Sequence, residues 1–395
     1  MKNNIRPFFL ILFTLFIPVN NFSQDFKPLQ DGIEYAELTR RIDKLPVRMN
    51  LLRLDLTKVR LDVIHAMDKA IGVETVSAMA QKHKAFAAIN AGFFRLDKSE
   101  FAGDAAGIFQ IDGRLLSESL NDRIAALITN GEKSTEVAFR HLKTSVSLGY
   151  GVDSEIGISG INRERGAGEV IVYTPEFGPT TKTKDGGAEI VMKTECGPKN
   201  GPEECKGKVI SINEEKGNSA IPAGGMVVSI DSGLKEFAHH VSGVKSFSKG
   251  KWFFLLPFYV VAPGNSAIFQ NSLRAEDIVA GVPQLIKNGK IEITWEQEKS
   301  SKSFVETKHP RTAVAKLKDG KFLMITVDGR SESSGGISLN DLAALLLEFG
   351  ATDGMNLDGG GSTTMFVDGK VVNHPSDKDG ERKVSDALLV FPRKR

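Results

Sequence analysis

Between Leu51 and Met67 apolar and polar residues alternate (LLRLDLTKVRLDVIHAM), which predicts two strands joined by a turn near Thr57-Lys58. Val73, Val76, Met79 and Ala80 then recur at helical spacing over 73–84. A small apolar run, Ala85 to Ile89, follows and ends in Asn90-Ala91-Gly92-Phe93-Phe94. Short strands punctuated by Gly, Pro and Asn continue to about residue 300, with no linker-like stretch and no fixed repeat. The best-specified helix comes late. Ser338 can cap it, with Asp341 at the capping-box position; Leu339, Leu342, Leu345, Leu346 and Phe349 form an apolar stripe; Gly350 stops it. It lies between two apolar strands, Phe322 to Val327 and Met355 to Leu357. That unit predicts a crossover that sets the two strands parallel, with both C-termini at one edge of the sheet.

The first residues fall outside this pattern. Lys2 and Arg6 precede an apolar run, Phe8 to Ile17, that is too short for the ~20 residues needed to span a bilayer. This predicts a cleavable signal peptide over 1–24, a mature chain over 25–395, and a periplasmic or secreted location. No later segment approaches spanning length. Removing 1–24 takes away two basic residues and no acid, so basic and acidic residues of the mature chain are equal in number. That balance argues against a nucleic-acid partner. The two cysteines, Cys196 and Cys205, sit close together in a Gly/Pro/Lys-rich stretch, and in an exported protein they predict a local disulfide.

Several strands end in Asp-Gly or Asn-Gly. Asp112-Gly113, Asn288-Gly289, Asp319-Gly320 and Asp368-Gly369 each lie between apolar runs and read as type I′ hairpins. Asp328-Gly329 and Asp358-Gly359 do not return at once to an apolar strand. By the crossover argument both acids reach the same sheet edge, a plausible pair for hydrolysis. Gly359, Gly360 and Gly361, followed by Ser362 and Thr363, leave backbone N–H groups open to a phosphate or oxyanion. Asn356 precedes Asp358 on the same strand face. Arg311, in His309-Pro310-Arg311-Thr312, can fork onto phosphate oxygens, although a surface ion pair is the commoner fate of an arginine. Local sequence alone assigns no role to His309 or Asn90.

In this order, Asn-Ala-Gly-Phe-Phe (90–94), Tyr-Thr-Pro (173–175), Gly-Val-Pro-Gln-Leu-Ile-Lys-Asn-Gly (281–289), His-Pro-Arg-Thr-Ala (309–313), Val-Asp-Gly-Arg (327–330), Asn-Leu-Asp-Gly-Gly-Gly-Ser-Thr-Thr-Met (356–365) and Gly-Glu-Arg-Lys-Val-Ser-Asp-Ala-Leu-Leu-Val (380–390) resemble the phosphodiester glycosidase family. The resemblance is densest over 309–390. It implies an α+β fold in a single large domain, with a mixed β-sheet, few helices and a cleft at the strand C-terminal ends. It also implies hydrolysis of a sugar-1-phosphodiester in a carbohydrate or glycoconjugate, with Asp358, Asp328 and Arg311 as the catalytic set. Asn90, His309, Arg330, Asn356, Gly359, Gly360, Gly361, Ser362, Thr363, Glu381 and Arg382 would bind substrate. Two positions depart from the family pattern: Ala315, where Gly is frequent, and Asp386, where Asn is frequent. No cofactor is expected. Two other readings remain open: a metal-assisted phosphodiesterase holding a divalent cation such as Ca or Mg between Asp328 and Asp358, and a glycan-binding envelope protein without turnover.

Overall fold

The computed structural model describes residues 26–150, 154–195, 205–234, 252–261 and 275–393. The expected signal peptide and Cys196 lie outside them, and of Cys205 only the backbone is described. Four sheets carry the described chain. The central one has eight strands, in the order Lys27–Gln30, Ile33–Ile42, Leu45–Leu54, Phe322–Val327, Arg311–Leu317, Ala351–Asn356, Gln284–Lys287 and Lys290–Ile291. Every neighbouring pair in it is antiparallel. A five-stranded sheet built on Val59–His65, Ala87–Asn90 and Asp386–Pro392 and another built on Phe109–Ile111, Ile124–Asn130 and Asp277–Ala280 share a core with it. Leu52, Val314, Met324 and Met355 meet Val63, Ile89, Leu388, Ile128 and Val279 there. The fourth sheet, eight strands drawn from residues 143–261, packs Tyr173, Phe177, Val191 and Val227 into a separate cluster.

The expected α+β class, one mixed sheet in a single large domain, is overturned. The described chain is mostly strand, in several antiparallel sheets. The only parallel neighbours among the described residues are Gly160–Ile161 and Val170–Tyr173. The physical reason is what covers the apolar faces. Helices α1 (Val76–His83), α2 (Lys302–Glu306) and α3 (Leu339–Glu348) are few and short, so most sheet faces are buried on other sheets. In antiparallel sheets the strand C-termini alternate between edges, so they do not define one cleft. The predicted crossover does set Phe322–Val327 and Ala351–Asn356 in the same direction, but Arg311–Leu317 runs between them and pairs antiparallel with both.

Helix α3 covers the other face of the central sheet, where Leu339, Leu342, Leu345 and Leu346 pack on Met49, Leu51, Ala313, Leu323 and Ile325. Ser338 accepts from Asp341 N at 3.1 Å and donates to its carboxylate at 2.6 Å. Three of the four expected hairpins have both turn residues left-handed, as type I′ requires: Asp112-Gly113, Asn288-Gly289 and Asp368-Gly369. Asp319 is not left-handed, so that hairpin closes with a different turn.

This packing sets a rank order. Leu346→Ala, which deletes a fully buried side chain between helix and sheet, should cost ~2–5 kcal/mol of stability. Ser338→Ala, which removes the cap alone, should cost ~1 kcal/mol. Urea denaturation of both variants checks the order; equal losses would contradict it.

Candidate active site

The strand Arg311–Leu317 decides which residues meet. Ala313, Ala315 and Leu317 face the helix-side core, and Val314 faces the core between the sheets. Arg311 therefore turns toward the helices. Its Nη2 donates to the carbonyls of Phe304 (2.6 Å) and Thr307 (2.9 Å), and its guanidinium stacks 4.7 Å from the Phe304 ring centre. In Phe322–Val327, Leu323, Ile325 and Val327 face the helices while Met324 faces the sheets, so Asp328 turns the other way. Asp328 and Arg311 thus share an edge of the sheet but not a face.

Asp328 is 2% exposed, and burial raises its carboxyl above the usual range. Oδ1 accepts from His374 N (3.0 Å) and Asn373 Nδ2 (3.3 Å). Oδ2 has no hydrogen-bond partner and lies 4.0 Å from Arg48 Nε, which is also unpartnered.

Asp358 sits where the chain leaves Ala351–Asn356 and enters the glycine run. Its main chain is clamped: Asp358 N donates to Ala91 O at 2.9 Å, and Asn90 Nδ2 donates to Asp358 O at 2.7 Å. Burial pushes its carboxyl up to about 6, against the Ser362 hydroxyl, the Gly359 N–H (2.9 Å) and the guanidinium groups of Arg382 and Arg123. The neighbouring acid is not Asp328 but Asp386. Burial likewise pushes Asp386 up to about 6, and the charge of Asp358 adds to that shift. Asp386 accepts from Gly92 N at 2.5 Å and from the Ser385 hydroxyl, while its own carbonyl accepts from Ala91 N. The two acids therefore flank the short segment 90–92. Arg311 faces Asp358 electrostatically and is pushed down to about 10 by burial and by the nearby Arg330.

The remaining expected contacts sort into structural and open groups. Asn90 is fully engaged at its oxygen, which accepts from the Thr312 hydroxyl (2.8 Å) and Thr364 N (3.1 Å). Glu381 accepts from Ser77 N and its hydroxyl, at 2.7 and 2.6 Å, in the first turn of α1. Arg382 forms a bidentate pair with Asp377 (2.7 and 3.0 Å). Asn356 donates to the carbonyls of Val282 and Leu357, both at 2.7 Å, leaving its oxygen unpartnered. Each glycine has a steric reason. A Cβ at Gly359 would lie 2.7 Å from Pro310 O, one at Gly361 would lie 2.1 Å from the Arg382 guanidinium, and Gly360 is left-handed. The N–H groups of 359, 360, 362 and 363 are already bonded within the fold, so this loop is not the open backbone cradle that its composition suggests. What it leaves open is the hydroxyl of Thr363, buried and without a partner among the described residues, as is Nδ1 of His309. Arg330 is exposed, and among the described residues its side chain makes a single 3.4 Å hydrogen bond, to Ser376.

Two residues of this site escape the sequence reading. Asp386 is visible there only as a departure from the family pattern. Arg123 follows the turn pair Asn121-Asp122 and opens an apolar strand, a context that reads as a surface ion pair. Among the described residues, no group of three or more His, Cys, Asp or Glu is placed to hold a metal ion.

Comparison with known proteins agrees with the motif-level resemblance. Residues 204–391 match the family model for phosphodiester glycosidases. The chain is 36% identical over 109 residues to N-acetylglucosamine-1-phosphodiester alpha-N-acetylglucosaminidase of Bos taurus, and 44% identical over 86 residues to an uncharacterised SPbeta prophage-derived protein of Bacillus subtilis. These matches cover 25% and 22% of this chain, but only 20% and 13% of those relatives' own lengths. Two solved structures share the fold: a hypothetical protein from Synechocystis (TM-score 0.72, 19% identity, 92% of this chain and 63% of that one) and a protein from Burkholderia pseudomallei described as exported (TM-score 0.70, 22% identity, 88% and 74%). Over residues 204–391, this chain is thus similar to the phosphodiester glycosidases.

Proposed function

We propose that the protein is an exported hydrolase that cleaves the glycosidic bond of a sugar-1-phosphodiester in a glycoconjugate or surface polysaccharide. The observation that carries this reading is the charge arrangement at Asp358. One carboxyl with a raised pKa lies among the guanidinium groups of Arg382, Arg123 and Arg311, and a further one, Arg330, crowds Arg311. Crowded cations call for an anionic ligand, and the phosphodiester supplies one. Phosphate is a good leaving group, so the reaction needs an ionised carboxylate at the anomeric carbon more than a strong general acid.

Asp358 takes that part, as nucleophile or as the base that draws a proton from water. The bond between the anomeric carbon and the phosphate oxygen breaks. Its electron pair leaves with the oxygen, giving free sugar and a phosphomonoester. Export rests on the basic start and short apolar run at the N-terminus, and on the neighbour described as exported.

Assay of the mature protein on sugar-1-phosphodiesters and ordinary aryl glycosides, with and without chelator, tests the reaction class. Faster turnover of the phosphodiesters is expected, and a preference for aryl glycosides would overturn it. Asp358→Asn should lower kcat by ~10²- to 10⁴-fold with the fold intact; wild-type rates would remove Asp358 from the mechanism. The pH profile carries a second signature. Asp358 works ionised, so activity should fall as pH drops through about 6. Asp386→Asn removes a neighbouring negative charge, Asp358 then ionises more readily, and the acid limb should move to lower pH. An unmoved limb would show that Asp386 does not act on Asp358.

A further inference from the structure

We propose that Arg123 is the side chain that grips the phosphate group of the substrate, through its unpartnered guanidinium edge. The proposal rests on the hydrolase reading above and names the residue that recognises the anion. Three observations converge on it.

The first is how Arg123 is held. Asn121 and Asp122 are consecutive non-glycine residues in left-handed conformation, φ 52° and 49°. Such a pair is strained and persists only where its surroundings impose it. Here Arg123 N donates to Leu120 O at 3.1 Å, and the His141 ring is bonded to Asp122 O at 2.8 Å. The strained turn delivers Arg123 to a fixed place. Its Nη1 donates to Ala106 O at 2.5 Å, and the guanidinium carbon lies 5.6 Å from the centre of the Phe93 ring.

The second is what it lacks. Nε is buried and has no hydrogen-bond partner. A guanidinium held rigid with a dry, unused donor is costly unless a ligand completes it. Among the described residues no carboxylate lies within ion-pair distance of Arg123. The two acids that favour its charged form against burial, Glu298 and Asp358, have other hydrogen-bond donors. Glu298 accepts from Gln284 N (2.9 Å), the Thr294 hydroxyl (2.5 Å) and Ile124 N (3.2 Å), and Asp358 accepts from Gly359 N.

The third is elimination among the other cations near Asp358. Arg311 donates to main-chain carbonyls and Arg382 is paired twice with Asp377. Arg330 is exposed, at the solvent side of the glycine loop. Of these four arginines, Arg123 alone combines partial burial, a fixed stem and a free donor within the field of the proposed reacting carboxylate.

The test compares wild type, Arg123→Gln and Arg123→Lys in two independent measurements. In kinetics, Arg123→Gln should lower kcat/KM for a sugar-1-phosphodiester more than for the uncharged aryl glycoside of the same sugar, by about 10- to 100-fold. Equal losses on both substrates would overturn the proposal, because a residue that merely supports Asp358 harms both alike. In binding, inorganic phosphate should raise the melting temperature of the wild-type protein, the shift should vanish in Arg123→Gln, and Arg123→Lys, which keeps the charge, should retain part of it. A full phosphate shift in Arg123→Gln, or none in the wild type, overturns the proposal. If no glycoside is turned over while phosphate binding still depends on Arg123, the hydrolase reading fails and the anion site stands.

Discussion

The site depends on one buried amide, that of Asn90. Its nitrogen donates to Asp358 O, and its oxygen accepts from the Thr312 hydroxyl and from Thr364 N. Those partners belong to the central sheet and to the two ends of the glycine run, whereas Asn90 itself closes a strand of a five-stranded sheet. One planar group thus locks two sheets and a loop at the place where the acids meet. Aspartate there would set an acceptor against the Asp358 carbonyl, and an apolar residue would strand three buried polar groups. The flanking main-chain bonds, Asp358 N to Ala91 O and Ala91 N to Asp386 O, continue the lock. They fix the two carboxylates on either side of residue 91.

Given that lock, electrostatics follows from burial. Taking Asp386 fully and Asp358 largely out of water makes their charged forms costly, and among the described residues neither has a cation bonded directly to it to offset the cost. The arginines divide the labour. Arg311 stitches α2 to the sheet, Arg382 pins the loop through Asp377, and both contribute field more than contact. The glycine run supplies room rather than donors, because the Arg382–Asp377 pair and the Pro310 carbonyl press directly on it.

How much of this was legible depended on whether a feature was local. Helix α3 was readable because its Ser338 cap, leucine stripe and Gly350 stop lie within thirteen residues of chain. Three Asp-Gly or Asn-Gly hairpins were readable for the same reason. The shared edge of Asp328 and Asp358 also followed from the crossover. Which face each acid takes did not, because that depends on Val327 lying opposite Arg311 and Asn356 opposite Ala313, a register set by a strand between them. The antiparallel layering is not local, because nothing within the strand–helix–strand unit shows that Arg311–Leu317 pairs between its two strands. Asp386 and Arg123 were hidden because each acquires its meaning only from Asp358, far away in the chain.

Asp328 then needs a place. Its Oδ1 holds Asn373 Nδ2 and His374 N, and Asn373 in turn donates to Thr363 O and accepts from Met365 N. Thr363 is the residue at which the chain leaves the glycine run, so Asp328 acts on Asp358 through the loop rather than across open space. Its main chain is anchored as well: Asp328 N donates to Arg48 O, and the Ser334 hydroxyl donates to Asp328 O at 2.6 Å. A buried acid joined this way to three segments behaves as a keystone for the loop. The two aspartates that look equivalent in sequence thus divide the task, one holding the loop in place and the other presenting its carboxylate where the loop begins.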